Sequence, residues 1–187
     1  MEKTSWLEIP KRQDLPTDTQ KLIDKAEDKF GFVPNVLANF AINPEHLMRW
    51  FDYYNFLMQE DYQLSRRERE MIAVVVSAEN KCEYCLATHS SYLREITADA
   101  ILPDTLIHNY HRANISAREK ALLDFAVKMT NESFKMVEAD LEPLREQGLN
   151  DQAIGELAQV AAMFNYTNRL LNALGWKPNQ EYYGMFR

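Results

Sequence analysis

The sequence predicts an all-α fold, and three observations support that prediction. Glycine is scarce, with 5 residues in a chain of 187. The sequence has no Asn-Gly or Asp-Gly pair of the kind that closes a β-hairpin. Apolar residues recur at helical spacing along most of the chain, and no stretch alternates apolar and polar residues for long enough to form a strand. We therefore expect a set of connected helices and no sheet.

Length and composition limit the organisation and the partners. With 187 residues, 46% of them hydrophobic, the chain can bury one sizeable core, so we expect a single domain over residues 1–187. The net charge of −7 argues against nucleic acid and against membrane surfaces as partners. The first residues form no apolar signal segment, and the longest aliphatic run, residues 72–76, is far shorter than the roughly 20 residues of a membrane span. We expect a soluble, cytoplasmic protein.

Two helices can be predicted in the first third of the chain. The first begins at Thr17 and ends at Gly31, because apolar residues recur at helical spacing between them and glycine often terminates a helix. The second is capped by Asn43 and has Pro44 as its first residue. It is rich in large apolar side chains, which are interpreted as core or subunit interface rather than as pocket lining. This group includes Trp50, Tyr53, Tyr54 and Phe56.

Later helix starts are marked by capping residues. Ser65 and Glu68 form one S-x-x-E capping box, and Ser116 and Glu119 form a second. In such a box the two side chains satisfy each other's backbone N–H groups, so each box marks a helix N-terminus. A third helix is predicted to begin near Asn150 and to form the central core helix.

The two capping boxes open similar segments, "LSRREREMIAVVV" and "ISAREKALLDFAV". This repetition indicates a duplicated α-hairpin. We predict a catalytic hairpin at about residues 65–96, and a second hairpin with the core helix at about residues 116–175. Between them we expect a short helix with His108 and His111, which are interpreted as surface residues.

Both cysteines of the chain lie in one short segment, as Cys82-x-x-Cys85, and His89 follows. Asn80 favours the end of the preceding helix, so we expect a new helix from about Cys82 to Glu95. In such a helix both sulfurs and the imidazole lie within about 60° of one another. The helix N-terminus favours a thiolate, and a nearby imidazole can accept the thiol proton. This is the chemistry of an activated cysteine.

Glu70 is predicted to lie beside His89. A reversal at residues 80–81 folds the two helices antiparallel and brings Glu70 level with about residue 90. A carboxylate beside an imidazole fixes its tautomer and raises its basicity, so the two groups and the sulfurs would form a proton relay. Glu79 is a second candidate for the same role. An alternative interpretation makes Glu70 one charge of the solvated run "RRERE".

The cysteines have other interpretations. One is that they are buried small side chains without a chemical role. Another is that they bind zinc with His89, but a structural zinc site usually has four ligands and would also need Glu70 or a distant histidine. We therefore expect no metal. Thioredoxin-like exchange is disfavoured, because that motif follows a strand.

The run from Glu70 through Cys82-Glu-Tyr-Cys85 to His89 is entered by "SRRERE" and followed by "FNYTNRLLNALG". It resembles the AhpD-like alkylhydroperoxidases of the carboxymuconolactone decarboxylase superfamily, and in particular its peroxidase-related enzymes. The likeness covers residues 31–175. It implies an AhpD-like bundle of duplicated helical hairpins, assembled as a homo-oligomer that is a dimer, trimer or hexamer.

The resemblance also implies a role for each site residue. Cys85 matches the cysteine that attacks peroxide and becomes a sulfenic acid, and Cys82 matches the partner that donates a proton and then closes the disulfide. Glu70 and His89 match the proton relay. Tyr84 departs from the pattern, because the best-studied members have a histidine just before the second cysteine.

The resulting hypothesis is a thiol-dependent peroxidase that reduces alkyl hydroperoxides or hydrogen peroxide without a bound cofactor. The family implies an external dithiol reductant of the lipoyl or thioredoxin type. Two alternatives belong to other classes. One is an acid–base enzyme like the lactone decarboxylases of the superfamily, which needs no cysteine pair. The other is a non-catalytic protein that binds zinc or partner helices.

Overall fold

The structure is a computed structural model that describes residues 3–60 and 62–187. All regular secondary structure in these ranges is helical, so the predicted all-α fold is confirmed. None of the described helices is both long and apolar enough to span a membrane. The α-helices are α1 (Thr17–Phe30), α2 (Asn35–Phe40), α3 (Pro44–Gln59), α4 (Arg66–Glu79), α5 (Glu83–Thr97), α6 (Leu102–Asn109), α7 (Ala117–Glu132), α8 (Glu142–Glu146), α9 (Asp151–Ala173) and α10 (Glu181–Gly184).

The predicted helix caps are present. α1 ends at Gly31, which has a φ of 76°. Asn43 caps α3 by accepting a hydrogen bond from the His46 N–H at 3.2 Å. Asn150 caps α9 by accepting one from the Ala153 N–H at 2.8 Å. Both S-x-x-E boxes are complete, at the starts of α4 and α7. Local side chains therefore define where these helices begin and end.

α4 occupies the centre of the bundle. Residues 68–78 are all buried, and the helix packs against α3, α5, α6, α7 and α9. α9 is a core helix, as the sequence predicts, but it leaves one face exposed, so α4 and not α9 is the central helix. The valines at 74–76 suit the central position, because a helix that is buried on all sides is apolar all round.

The two capping boxes contact each other through reciprocal ion pairs. Arg67 of the first box donates to Glu119 of the second at 2.6 Å. Arg118 of the second box donates to Glu68 of the first at 2.7 Å. Each arginine directly precedes the glutamate of its own box, so the contact has a local twofold relation that matches the sequence repeat. The pairs fix the N-termini of α4 and α7 against each other.

A buried arginine holds the start of α4 to the end of α3. Arg69 is 2% exposed, and its Nη1 donates to the carbonyl oxygens of Leu57 at 3.0 Å and Glu60 at 2.5 Å. The Glu156 carboxylate of α9 lies 3.8 Å from the same nitrogen and accepts the Leu64 N–H at 3.1 Å. A buried charge needs such partners, because an unpaired one costs several kcal/mol. These contacts fix α3 and α9 relative to α4.

The apolar interior forms two clusters. The larger one surrounds α4 and includes side chains of α7 and α9. The smaller one joins α1, α2 and α3 to the start of α5 and the end of α9, and both cysteines belong to it. Trp50 packs against both clusters. The cysteine segment therefore lies where the N-terminal helices meet the central bundle.

Gly175, just after the end of α9, packs directly against the Trp6 ring. Gly175 has a φ of 62°, and a Cβ added there would clash with the Trp6 ring. We expect Gly175→Ala to lower the free energy of unfolding by about 1–3 kcal/mol, because alanine is strained at positive φ and the ring must move.

The matched control is Gly155→Ala, within α9. No neighbouring side chain or loop atom lies within 4 Å of its added Cβ, so we expect this change to raise the free energy of unfolding by up to about 1 kcal/mol. Urea denaturation measures both values. Equal losses of stability in the two variants would contradict the packing of Trp6 on Gly175.

Candidate active site

A sharp reversal after α4 positions the cysteines. Lys81 has a φ of 55°, and the Cys82 N–H donates to the Ser77 carbonyl oxygen at 3.0 Å, so the chain turns directly back on α4. Cys82 is the N-cap of α5, and Cys85 lies in its first turn. The reversal and the helix start that were predicted from the sequence are confirmed.

The two cysteines differ in their access to solvent and ligands. Both are free thiols, and their exposed fractions are 0% for Cys82 and 4% for Cys85. Cys85 lines a cavity of about 540 Å³, whereas Cys82 does not. A molecule that enters the cavity therefore meets the sulfur of Cys85.

A hydrogen bond between the two thiols gives them different pKa values. The pKa of Cys82 is lowered, chiefly because the Cys85 thiol donates a hydrogen bond to its sulfur. The pKa of Cys85 is raised well above its usual range. The largest cause is the same hydrogen bond, and the second is the burial of the thiol. An interaction with the Asn168 side chain lowers the pKa of both thiols, because it favours negative charge on either sulfur. The negative charge of the ionised pair therefore rests on Cys82, and Cys85 keeps the proton.

Glu70 and His89 form a buried hydrogen bond. His89 Nδ1 lies 2.7 Å from Glu70 Oε2, and the exposed fractions of the side chains are 7% and 0% respectively. The predicted contact is confirmed, and the interpretation of Glu70 as a solvated surface charge is wrong. The Phe164 ring packs edge-on against the imidazole, with 4.6 Å between centroids. The ring and the carboxylate together fix the orientation of His89.

The other candidate residues lie elsewhere. Glu79 accepts a hydrogen bond from Asn131 Nδ2 at 2.8 Å and does not line the cavity. His108 and His111 are exposed, as predicted. In residues 3–60 and 62–187, no three His, Cys, Asp or Glu side chains are grouped closely enough to hold a metal ion. The zinc alternative therefore finds no ligand set in these ranges.

Aromatic side chains form much of the cavity wall. Trp50 and Tyr54 pack against the core, as predicted, but they also line the cavity, which the sequence did not lead us to expect. Tyr53 and Phe56, also on α3, are each 44% exposed. The aromatic lining includes Phe30, Trp50, Phe51, Tyr54, Tyr84 and Tyr92.

One turn of α5 contributes a group of polar side chains to the cavity wall. Cys85, Thr88 and His89 all line it, as expected for residues spaced by three and four positions on a helix. Thr88 Oγ1 is buried and has no hydrogen-bond partner among the described residues. Its hydroxyl is therefore available to a ligand beside the Cys85 sulfur. Thr88 could not be identified from the sequence, because threonine on a helix has no distinctive signal.

Tyr84 also lines the cavity, at the position where the resemblance leads one to expect a histidine. Its hydroxyl oxygen accepts a hydrogen bond from the Val36 N–H at 2.8 Å, which ties the start of α2 to α5. Burial raises the pKa of Tyr84 well above its usual range, so the phenol stays neutral. Tyr84 therefore cannot accept protons as an imidazole does, and its contact with α2 is structural.

Asn168 is a further site residue, and it could not be identified from the sequence. It is fully buried, its Nδ2 donates to the Ser77 hydroxyl at 3.0 Å, and its Oδ1 accepts from Asn80 Nδ2 at 3.0 Å. It lies in the run "FNYTNRLLNALG", on a face of α9 that is otherwise largely apolar. This network fixes the amide next to the two sulfurs.

Comparisons with known proteins place the chain in a family. The model of the carboxymuconolactone decarboxylase family matches residues 44–100. A comparison with curated proteins found no match. A structure of an uncharacterized peroxidase-related protein from Ralstonia eutropha JMP134, an alkylhydroperoxidase AhpD core, is 38% identical with a TM-score of 0.96, and the match covers 100% of this chain and 98% of that chain.

Two further structures are similar. An uncharacterized peroxidase-related protein from Silicibacter sp. TM1040 is 45% identical with a TM-score of 0.95, and the match covers 100% of this chain and 97% of that chain. The debrominase Bmp8 is 16% identical with a TM-score of 0.77, over 97% of this chain and 94% of that chain, and at this identity the likeness concerns the fold alone. The chain therefore belongs to the AhpD-like group of the carboxymuconolactone decarboxylase family.

Proposed function

We propose that the protein is a thiol-dependent peroxidase that reduces organic hydroperoxides through Cys82 and Cys85. One observation carries this proposal: Cys85 lines a large cavity while its thiol is hydrogen-bonded to the more acidic Cys82. The buried Glu70–His89 pair lies in the same region, with His89 on the cavity wall. The AhpD-like family membership supports the same chemistry.

The first step oxidises Cys85. Its thiol proton moves to the Cys82 sulfur, which is its hydrogen-bond acceptor, and the resulting Cys85 thiolate attacks the terminal oxygen of the hydroperoxide. The O–O bond breaks, the sulfur gains the hydroxyl group as a sulfenic acid, and the alkoxide leaves. His89, oriented by Glu70, supplies the proton that converts the alkoxide to an alcohol. The unpartnered Thr88 hydroxyl donates a hydrogen bond to the bound peroxide.

The second step closes a disulfide. The sulfur of the Cys82 thiol attacks the sulfur of the Cys85 sulfenic acid, and the hydroxyl group takes the Cys82 thiol proton and leaves as water. An external dithiol of the lipoyl or thioredoxin type then reduces the disulfide by exchange. The net reaction converts a hydroperoxide and a dithiol into an alcohol, water and a disulfide. No bound cofactor is required, and we propose that the protein works as a homo-oligomer.

Acid–base chemistry like that of the lactone decarboxylases is the second candidate. A buried Glu–His pair can also move protons in such a reaction. That chemistry gives no role to the hydrogen-bonded thiols or to the opening of Cys85 into the cavity, so the peroxidase accounts for more of the site.

Intact-mass analysis after treatment with an organic hydroperoxide tests the proposed function. The wild-type chain should lose two hydrogens, mapped to a bond between Cys82 and Cys85, and should release one alcohol per chain. Cys82→Ser should stop with one added oxygen at Cys85, because no second thiol can condense with the sulfenic acid. Cys85→Ser should not react.

The same variants separate the two candidate functions. A wild-type chain that shows no mass change with any hydroperoxide contradicts the peroxidase. Lactone decarboxylation that persists in Cys85→Ser would establish the acid–base alternative instead.

Thiol titration tests the charge distribution in the cysteine pair. Because the pKa of Cys82 is lowered and that of Cys85 is raised, one thiolate per chain should appear below the usual range of cysteine and the second above it. Reaction with peroxide should therefore increase as pH rises through the lower of the two values. In Cys85→Ala, the pKa of Cys82 should rise, since its largest stabilising contact is gone. Ultraviolet absorbance of the thiolate measures both, and two thiols that titrate together like free cysteine would contradict this account.

A further inference from the structure

The cavity is much larger than hydrogen peroxide requires. Hydrogen peroxide is of similar size to a water molecule, which occupies about 30 Å³ in the liquid, whereas the cavity measures about 540 Å³. This value lies within the range of roughly 300–1,000 Å³ that is typical of sites for small organic molecules. The size therefore fits a substrate with a substantial body attached to the peroxide group.

The walls indicate that this body is apolar. α1 contributes Leu22, Ala26 and Phe30, and α3 contributes Trp50 and Phe51. Uncharged polar side chains also line the cavity, namely Asn55 and Gln59 of α3, Thr167 of α9 and Thr88 next to Cys85. An apolar chain or ring can thus lie along the N-terminal helices while its peroxide group reaches α5.

The charged side chains that line the cavity are mostly positive, although the chain as a whole is negatively charged. Lys25, Lys29 and Arg66 line the cavity, against Glu95 as the one carboxylate of the lining in the described ranges. The whole chain carries a net charge of −7, so this local excess of positive charge runs against the overall balance. Arg66 lies 3.9 Å from Glu95, which leaves the two lysines as the uncompensated charges.

The two lysines are placed to hold an anion at the edge of the cavity. They are one turn apart on α1, on the face that also supplies its apolar lining residues. Both are exposed, and within residues 3–60 and 62–187 neither has a carboxylate within ion-pair distance. Lys29 Nζ lies 5.3 Å from the centroid of the Phe30 ring. Positive charge therefore sits directly beside an apolar wall.

From this arrangement we infer that the substrate is the hydroperoxide of a long-chain carboxylic acid, as formed by oxidation of unsaturated fatty acids. Its carboxylate binds Lys25 and Lys29, its apolar chain lies along the aromatic wall, and its peroxide group reaches Cys85. The inference rests on the proposed function for the reaction itself. The binding of an amphipathic carboxylate, however, depends only on the cavity.

The test compares a matched pair of substrates, a fatty-acid hydroperoxide and its methyl ester, which differ only in the charge of the head group. The wild-type protein should give a higher kcat/KM with the acid. In the double variant Lys25→Gln/Lys29→Gln, the ratio of the acid value to the ester value should fall about fivefold, because two partly exposed ion pairs are lost. The control Lys11→Gln/Lys21→Gln removes the same charge outside the cavity lining and should keep the wild-type ratio.

A binding measurement separates this inference from the proposed function. Calorimetric titration with decanoate and with 1-decanol uses probes that cannot react with thiols. Decanoate should bind more tightly than 1-decanol to the wild-type protein, and the Lys25→Gln/Lys29→Gln variant should lose that preference. If this result holds while no hydroperoxide is reduced, the cavity assignment stands and the peroxidase fails. Equal kcat/KM values for acid and ester, or no preference for decanoate, would overturn the assignment.

Discussion

The buried hydrogen bond between Glu70 and His89 is the contact on which the rest of the site depends. A carboxylate with no solvent exposure is costly unless it is paired, so the partner must be present in the folded state. The 2.7 Å contact can form only if α4 and α5 lie antiparallel in one register. The turn at Lys81 and the capping box at Ser65 set that register from either end of α4.

The two cysteines differ in their surroundings, and this difference gives each of them its own part in the proposed chemistry. Cys82 lies at the N-cap of α5, away from the cavity, where it is suited to hold negative charge and to take up a proton. Cys85 keeps its proton at rest but faces the cavity. A thiol that stays protonated until a substrate arrives is less exposed to adventitious oxidation, because the thiolate is the reactive form. Cys82 is thus the more acidic thiol, and Cys85 is the one that a substrate can reach. The hydrogen bond between them allows a proton to pass from Cys85 to Cys82.

Much of the site could be predicted because it depends on local rules. Helix starts at Ser65 and Cys82 and helical periodicity are enough to bring Glu70 to His89. The cavity could not be predicted, because α1 and α3 reach the cysteine segment only through tertiary packing. Asn168 could not be predicted for the same reason, because it lies far along the chain from the two cysteines whose pKa values it lowers. In "RRERE", neighbouring charges serve different purposes, and only burial distinguishes Arg69 and Glu70 from solvated residues.

Proton transfer through Glu70 and His89 can be tested by the rate of sulfenic acid formation at Cys85 in Glu70→Gln. Rapid mixing with an organic hydroperoxide measures it, and Glu79→Gln on the same helix is the control, since that carboxylate pairs with Asn131 away from the cavity. If the carboxylate orients His89 for proton transfer, Glu70→Gln should react about 100-fold more slowly, with the helical content of the wild type, and Glu79→Gln should react at the wild-type rate. Equal rates in all three proteins would contradict the account.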